Sequence, residues 1–322
     1  MLHRMGIFFL AACAMAIPFA GSATAADYPN RVVTLIVNYA IGGGTDIIAR
    51  FLAAKLSERW SFRVIVENHP GASGALGAEK LARAAPDGYT LGMLCIPDTV
   101  NSGIRTNLRY DIVKDFAPIT HVAVGTNVLV VNPKLPVNTL QDFINYAKKK
   151  PGELNMAILT DTSMHLDTVR INKAAGITMG MVSYNGSGPA LSDVMGGHVD
   201  ANLVPLTPAI PQIKSGFLRG LAVTSAERSP FLPEIPTVSE TIPGFASDVW
   251  YGIAAPKNTP KDIVAKINRD LGDILKDPET VEKFKTMGLT PTHNSPEEFA
   301  AEIASSVELW HSVAVSADIT IK

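Results

Sequence analysis

The feature that most constrains this chain is an alternation that occurs twice. Strand-like apolar runs trade with helix-like amphipathic runs, first near the N-terminus and again from residue 127. In the first series "RVVTLIV", Arg31 to Val37, precedes a helical pattern over 47–60. "RVIVEN", Arg63 to Asn68, then precedes "GALGAEKLARAA", Gly74 to Ala85, and "YTLGMLC", Tyr89 to Cys95. Short apolar strands separated by helices predict a parallel sheet with helices on both faces. The second series runs through strands "NVLVVN" (127–132), "LNMAIL" (154–159), "TMGMVSY" (178–184), "VDANLV" (199–204) and "LRGLAVTS" (218–225). Its helices are expected over 139–151, starting at Thr139 as N-cap, and over 164–176, 188–197 and 207–216. Thr259-Pro260 and Ser295-Pro296-Glu297-Glu298 read as the starts of two further helices, to 276 and to about 315. The fold class is therefore α/β, in two similar halves.

Composition enters as a filter. The chain has 322 residues, 47% hydrophobic and 18% charged, with a net charge of −2. That supplies ordinary cores, argues against disorder and offers no basic patch for nucleic acid. His3 and Arg4, the apolar run "GIFFLAACAMAIPFAG" and the small residues "ATA" read as a signal peptide over 1–25, with export to the periplasm and cleavage at Ala25 or Ala26. A second reading of this segment takes "LAAC" as a lipobox, which makes Cys13 a lipid anchor. Cys95 is then the single remaining cysteine and reads as a small buried hydrophobe. No Cys/His cluster has zinc spacing, and neither a metal nor a cofactor is expected.

Four strand-to-helix turns are the candidate sites. "NYAIGGGTD", Asn38 to Asp46, places three glycines where helix N–H groups are free to meet an anion, with Thr45 or Asp46 as cap. Its spacing fits neither a P-loop nor the dinucleotide fingerprint, and a tight structural turn is the competing explanation. "NHPGASGALGAE", Asn68 to Glu79, repeats Gly71, Gly74 and Gly77 every three residues, which suits close helix-to-sheet packing as well as ligand contact. "LTDTSMH", Leu159 to His165, offers Thr160, Asp161, Thr162 and Ser163 as hydroxyls and caps. "SYNGSGPAL", Ser183 to Leu191, lacks the leading glycine of a nucleophile elbow, since Asn185 stands there, and has no evident His and acid partners. His165 and His198 read as capping or surface residues.

Together with "PDGYTL" (Pro86 to Leu91), "YDIVKDFAPIT", "SYNGSGPALSDVMGGHVD", "LRGLAVTSAERSPFLPEIPTVSE" and "WYGIAAP", these turns resemble the Bug/TctC family of periplasmic solute-binding proteins of tripartite tricarboxylate transporters. The resemblance covers nearly all of the chain after the signal peptide. It implies two α/β lobes, 26–126 with 251–322 and 127–250, and a cleft that closes on a small carboxylate. Carried over by motif, the first lobe supplies Tyr39, Gly43, Gly44, Thr45 and Asp46, with Ile41 as an apolar neighbour. The second supplies Thr160 to Ser163 and the turn Tyr184, Asn185 and Gly186. Three departures stand out: Ile41 where the family often has proline or a small residue; Leu159, Asp161 and Met164 in a turn that is usually glycine- and serine-rich; and Leu203, Val204 and Pro205 where it often has an aromatic followed by Asp-Asn. Asp161, if it faces the cleft, favours a ligand N–H or ammonium; otherwise it caps the helix.

The resemblance implies a monomeric binding protein, not an enzyme, that hands its ligand to membrane permease subunits. A sensor for a signalling partner and an exported two-domain enzyme are the alternatives, the latter lacking a complete nucleophile, base and orienting set.

Overall fold

The computed structural model describes residues 28–316; the expected targeting segment, Cys13 included, lies outside the described residues. The first half of the chain builds β1 (Val33–Val37), α1 (Gly44–Trp60), β2 (Val64–Asn68), α2 (Ala75–Ala82), β3 (Thr90–Cys95) and α3 (Ile96–Ile104). Strand β1 lies between β2 and β3, parallel to both. Leu35 and Val37 point into one core layer with Ile48, Leu52 and Leu56 of α1, while Ile36 points to the opposite layer with Leu81 of α2. Burial on both faces is the reason the strand reads as a continuous apolar run.

The chain then enters β4 (Phe116–Val131), whose 16 residues exceed the usual strand. The second parallel set follows: α4 (Leu140–Lys149), β5 (Asn155–Ile158), α5 (Ser163–Ala175), β6 (Gly180–Ser183), α6 (Ser187–Gly196), β7 (Ala201–Pro205), α7 (Leu206–Lys214) and β8 (Arg219–Val223). The chain returns through β9 (Asp248–Pro256), α8 (Lys261–Lys276), α9 (Pro278–Thr286), β10 (Thr290–Pro291) and α10 (Pro296–Ser316). Strand β4 pairs antiparallel with β9 over Phe116–Thr126 and with β7 over Asn127–Val131. One strand thus belongs to both half-sheets, in the order β2-β1-β3-β9-β4-β7-β5-β6. Register shifts at Pro118/Thr120 and His121/Ala123 bend it along the way.

Several local expectations change. The strand expected at 127–132 is only the second part of β4. The stretch after Cys95, to which the sequence reading assigned no element, forms α3, with Pro97 in its first turn. Thr259 does not cap α8: its Oγ1 donates to the Pro256 carbonyl, and Pro260 occupies the N-cap position. The other two caps form. Thr139 Oγ1 accepts from Asp142 N at 3.0 Å, and Ser295 with Glu298 makes a reciprocal box at 3.2 and 2.8 Å. Among the described residues no helix is long and apolar enough to cross a membrane.

The far end of α1 is anchored by a buried carboxylate. Asp270 of α8 accepts from Arg59 Nε at 2.9 Å, Trp60 Nε1 at 2.8 Å and Lys266 Nζ at 2.6 Å. Burial alone would raise its pKa, but the hydrogen bonds from Lys266, Trp60 and Arg59 outweigh burial and hold it below the ordinary value. A depressed folded pKa contributes stability above the unfolded value, and that contribution is lost as pH falls through the folded one. We expect Asp270→Asn to destabilise the protein by about 2–3 kcal/mol at pH 7 and by less at pH 3, measured by chemical denaturation at both.

Candidate functional site

Five strand-to-helix junctions meet at one cavity of ≈ 20 Å³. Gly43, Gly44 and Thr45 open α1; Cys95 and Pro97 open α3; Leu159, Ser163 and Met164 surround the start of α5; Ser187 opens α6; and Pro205 precedes α7. Tyr39, Asn127, Val249 and Tyr251 complete the wall. No residue that lines it is charged.

The first turn of a helix leaves N–H groups without intrahelical partners. Capping side chains normally satisfy some of them, yet none does so at Gly43, Thr162 or Gly186, the N-caps of α1, α5 and α6. The glycine turn is held from outside instead: the Asp46 carboxylate accepts from Gly42 N at 3.0 Å, Asn68 Nδ2 at 2.9 Å and Arg50. Thr162 Oγ1 is turned away, donating to the Leu159 carbonyl at 2.6 Å. Three uncapped helix starts facing one cavity create a positive potential without a cationic side chain.

Buried side chains in the wall are left over in the same way. Ser163 Oγ, both amide atoms of Asn127 and the Tyr251 hydroxyl have no hydrogen-bond partner, and all three residues are at most 2% exposed. Each such group costs about 1–3 kcal/mol if it stays unsatisfied, which marks this wall as a place for a hydrogen-bonding ligand. Burial pushes the Tyr251 phenol up, and burial together with Asp98 pushes the Cys95 thiol up. Both remain neutral at physiological pH. A larger groove of ≈ 850 Å³ beside Trp250 and Trp310 is wide open, and its Arg170 is already engaged by Asp167 at 2.7 Å.

Behind Tyr39 and Cys95 sits Asp98, fully buried, accepting from Asn38 Nδ2 at 2.9 Å, Tyr39 Oη at 3.1 Å and Cys95 N at 2.8 Å. These bonds fix the β1 and β3 ends that form one wall. Burial pushes its carboxyl up to about 6 despite these donors and a longer contact from Cys95 Sγ at 3.5 Å.

Of the residues singled out from sequence, the structure brings Tyr39, Gly43, Gly44, Thr45 and Ser163 to the cavity wall. The others stand elsewhere. Ile41 is 67% exposed, and Asp46 supports the turn from behind. Tyr184 donates its hydroxyl to Asp193 at 2.5 Å, and Asn185 is exposed. Asp161 neither lines the cavity nor caps α5. It adopts a positive φ of 56° and pairs with Arg105 at 2.8 Å, across from the first half-sheet.

Around that pair, further contacts bridge the two halves. Thr160 accepts at its carbonyl from Ser73 Oγ at 2.5 Å. Gly186 lies so close to Ala40 that a Cβ there would come within 2.6 Å of the Ala40 side chain, and a Cβ on Gly188 would collide with the Ile41 carbonyl. Only glycine allows this approach. Asn127, Tyr251 and Val249 were not anticipated as wall residues. They lie within strand-like runs, where nothing in the local pattern separates a cavity-facing side chain from a core one.

The chain is similar to known proteins in both sequence and fold. The tripartite tricarboxylate transporter family receptor model matches residues 48–317. The chain is 34% identical to protein BugT of Bordetella pertussis over 317 residues, 97% of this chain and 96% of that one. A solved periplasmic transporter superposes with a TM-score of 0.88 at 37% identity, covering 92% of this chain and all of that one. Rpa4515 of R. palustris, solved with adipate, also gives 0.88, at 33% identity, covering 91% and 99%.

The Asp98 geometry sets a pH dependence. A carboxyl whose folded pKa is raised contributes stability that is complete below the unfolded value of 3.8 and is lost as pH rises through about 6. Asp167, pushed up to about 6 chiefly by burial, acts in the same window. We expect Asp98→Asn to flatten the decline in unfolding free energy between pH 4 and 6.5 by about 2–3 kcal/mol, with Asp167 leaving a residual slope.

Proposed function

Because the chain belongs to the tripartite tricarboxylate transporter receptor family, we propose that it captures a small carboxylate in the periplasm and delivers it to a membrane permease. Members of this family are solute-binding proteins, not enzymes. The observation that carries the reading is the meeting of three uncapped helix N-termini with the unpartnered Ser163, Asn127 and Tyr251 in one uncharged cavity. Backbone N–H groups stabilise the carboxylate charge, while hydroxyl and amide donors orient it. The adipate held by the R. palustris relative supports the same class of ligand.

Of the described residues, 28–126 with 251–316 form one lobe in this reading, and 127–250 the other. The ligand groups come from both: Gly44, Thr45 and Tyr251 from one, Asn127, Ser163 and Ser187 from the other. A ligand touching both sets favours the arrangement in which the sets face each other. The Arg105–Asp161 pair and the Ser73–Thr160 hydrogen bond favour that same arrangement without touching the ligand.

Thermal denaturation against a carboxylate panel tests the reading. A ligand at a hundred times its Kd stabilises by about 2.7 kcal/mol, raising Tm by several degrees. Absence of any shift across the panel would contradict it. With a bound carboxylate in hand, Gly44→Ala should abolish the shift and also lower the ligand-free Tm, by the equivalent of about 1–3 kcal/mol of overpacking. Its Cβ would come within 2.8 Å of the Tyr251 hydroxyl and 3.2 Å of Pro205, inside the cavity, yet the position carries no positive φ. Ser163→Ala should weaken binding about tenfold, the value of one hydrogen bond to a charged group. Arg105→Ala should raise Kd several-fold by calorimetry through the lobe–lobe contact alone, with ligand preference unchanged.

A further inference from the structure

We propose that the carboxylate enters this cavity together with one proton, taken from solvent and held on Asp98, so that binding tightens as pH falls. The inference rests on the carboxylate reading above and concerns a residue that does not itself line the cavity. Helices α1, α5 and α6 begin at the wall without a side-chain cap, but α3 does not: Asp98, in its first turn, accepts from Cys95 N at 2.8 Å through Oδ2. An ionised Asp98 therefore offsets the positive end of α3. The same carboxylate touches two wall residues from behind. Tyr39 Oη donates to its Oδ1 at 3.1 Å, and Cys95 Sγ donates to its Oδ2 at 3.5 Å. One layer of side chains separates Asp98 from the space a ligand would fill, which makes it a positioning residue for the wall.

A ligand carboxylate adds a second negative charge to this buried region. Neighbouring like charges disfavour joint ionisation, and the group that can take up a proton does so. Among the described residues Asp98 has no cationic partner; its donors come from Asn38, Tyr39 and Cys95. The titratable groups that face it, Tyr39, Cys95 and Tyr110, are neutral, because burial pushes the thiol and both phenols up. Charged groups on the elements packed against α3 are engaged elsewhere. Arg105 pairs with Asp161, Asp167 of α5 with Arg170, and Glu79 and Lys80 of α2 with Arg83 and Glu67. His165 of α5 accepts from Asp161 N, and His311 of α10 donates to the Gly103 carbonyl. Glu302 and Glu308 of α10 and Asp248 of β9 open onto outer grooves. Burial already holds the Asp98 carboxyl at about 6, and a ligand charge moves it further up. Once protonated, Asp98 Oδ1 donates to Tyr39 Oη, which reverses that bond and releases the Tyr39 O–H from the carboxylate. The region behind the wall loses a charge, and the wall gains a donor.

The test is calorimetric titration of the full exported protein with adipate, and with the tightest binder of the carboxylate panel, between pH 6 and pH 8. Repeating the pH 6.5 titration in phosphate and in imidazole, which differ in ionisation heat, counts the protons taken up once the ligand's own ionisation is subtracted. Across one layer of side chains, about 7 Å, two like charges at an effective dielectric of about 20 shift an equilibrium more than tenfold. Because pH 6–8 spans only part of that titration, we expect Kd to be about fivefold lower at pH 6 than at pH 8, with about half a proton taken up at pH 6.5. Asp98→Asn, neutral at every pH, should abolish the uptake, flatten the profile and bind at pH 8 at least about fivefold more tightly than the wild type. Asp167 titrates in the same window and serves as the control: Asp167→Asn should keep the uptake. A flat Kd without uptake in the wild type, uptake that survives Asp98→Asn, or uptake lost in Asp167→Asn would each overturn the inference while leaving the carboxylate reading intact. If Asp98→Asn does not fold, the wild type and Asp167→Asn decide, equal uptake in both upholding the inference and its absence from either overturning it. If no carboxylate binds at any pH, the carboxylate reading itself fails and this inference falls with it.

Discussion

Everything about this site depends on one strand being hydrogen-bonded into two half-sheets. Strand β4 pairs with β9 along its first part and with β7 and β8 along its second. In each half, three parallel strands deliver their C-terminal ends to turns, and each turn starts a helix. Ligands of open α/β sheets lie at the carboxyl ends of strands, because helix N-termini and irregular backbone gather there. Joining two such sheets through one strand brings two of these edges face to face. The cavity is what remains between them.

The chemistry of that cavity follows from what is withheld. Helix N-caps ordinarily carry a serine, threonine or acid that bonds back to the backbone. Here Asp46 supports the glycine turn from outside and Thr162 bonds to Leu159, so the helix starts remain available. Arg50, Arg59, Arg105 and Arg170 are each paired with a carboxylate, and Asp98, behind the wall, is pushed up to about 6 by burial. The result is a small, uncharged compartment with a positive potential. Such a compartment favours an anion through fixed dipoles, which have already lost their freedom to reorganise when the ligand arrives.

Much of the fold was legible in the chain. The strand and helix alternation named the parallel units, and Thr139 and Ser295 marked helix starts that the structure places within a residue. The cavity wall was legible where it rests on turn chemistry: Gly43, Gly44, Thr45 and Ser163 follow from glycine and hydroxyl residues after a strand. Tyr251 and Asn127 were not legible, because a strand side chain carries no local sign of whether its face meets core or cavity. Asp161 shows the opposite failure. A carboxylate in a polar turn invites a ligand role, but its partner, Arg105, lies 56 residues away in sequence on the other half.

The sequence alone determined the local grammar: which stretches are strands and where glycine frees backbone for close approach. Those outcomes depend on period, propensity and capping, which act over a few residues. Tertiary structure alone decided which polar groups are left without partners, which charges are neutralised by distant residues, and how much space stays between the halves. These depend on contacts across long sequence separations, where burial raises the cost of an unpaired group. Recognition lives at that second level: the glycine turn can bind an anion anywhere, but only the facing half-sheet makes it one side of an enclosed, uncharged cavity.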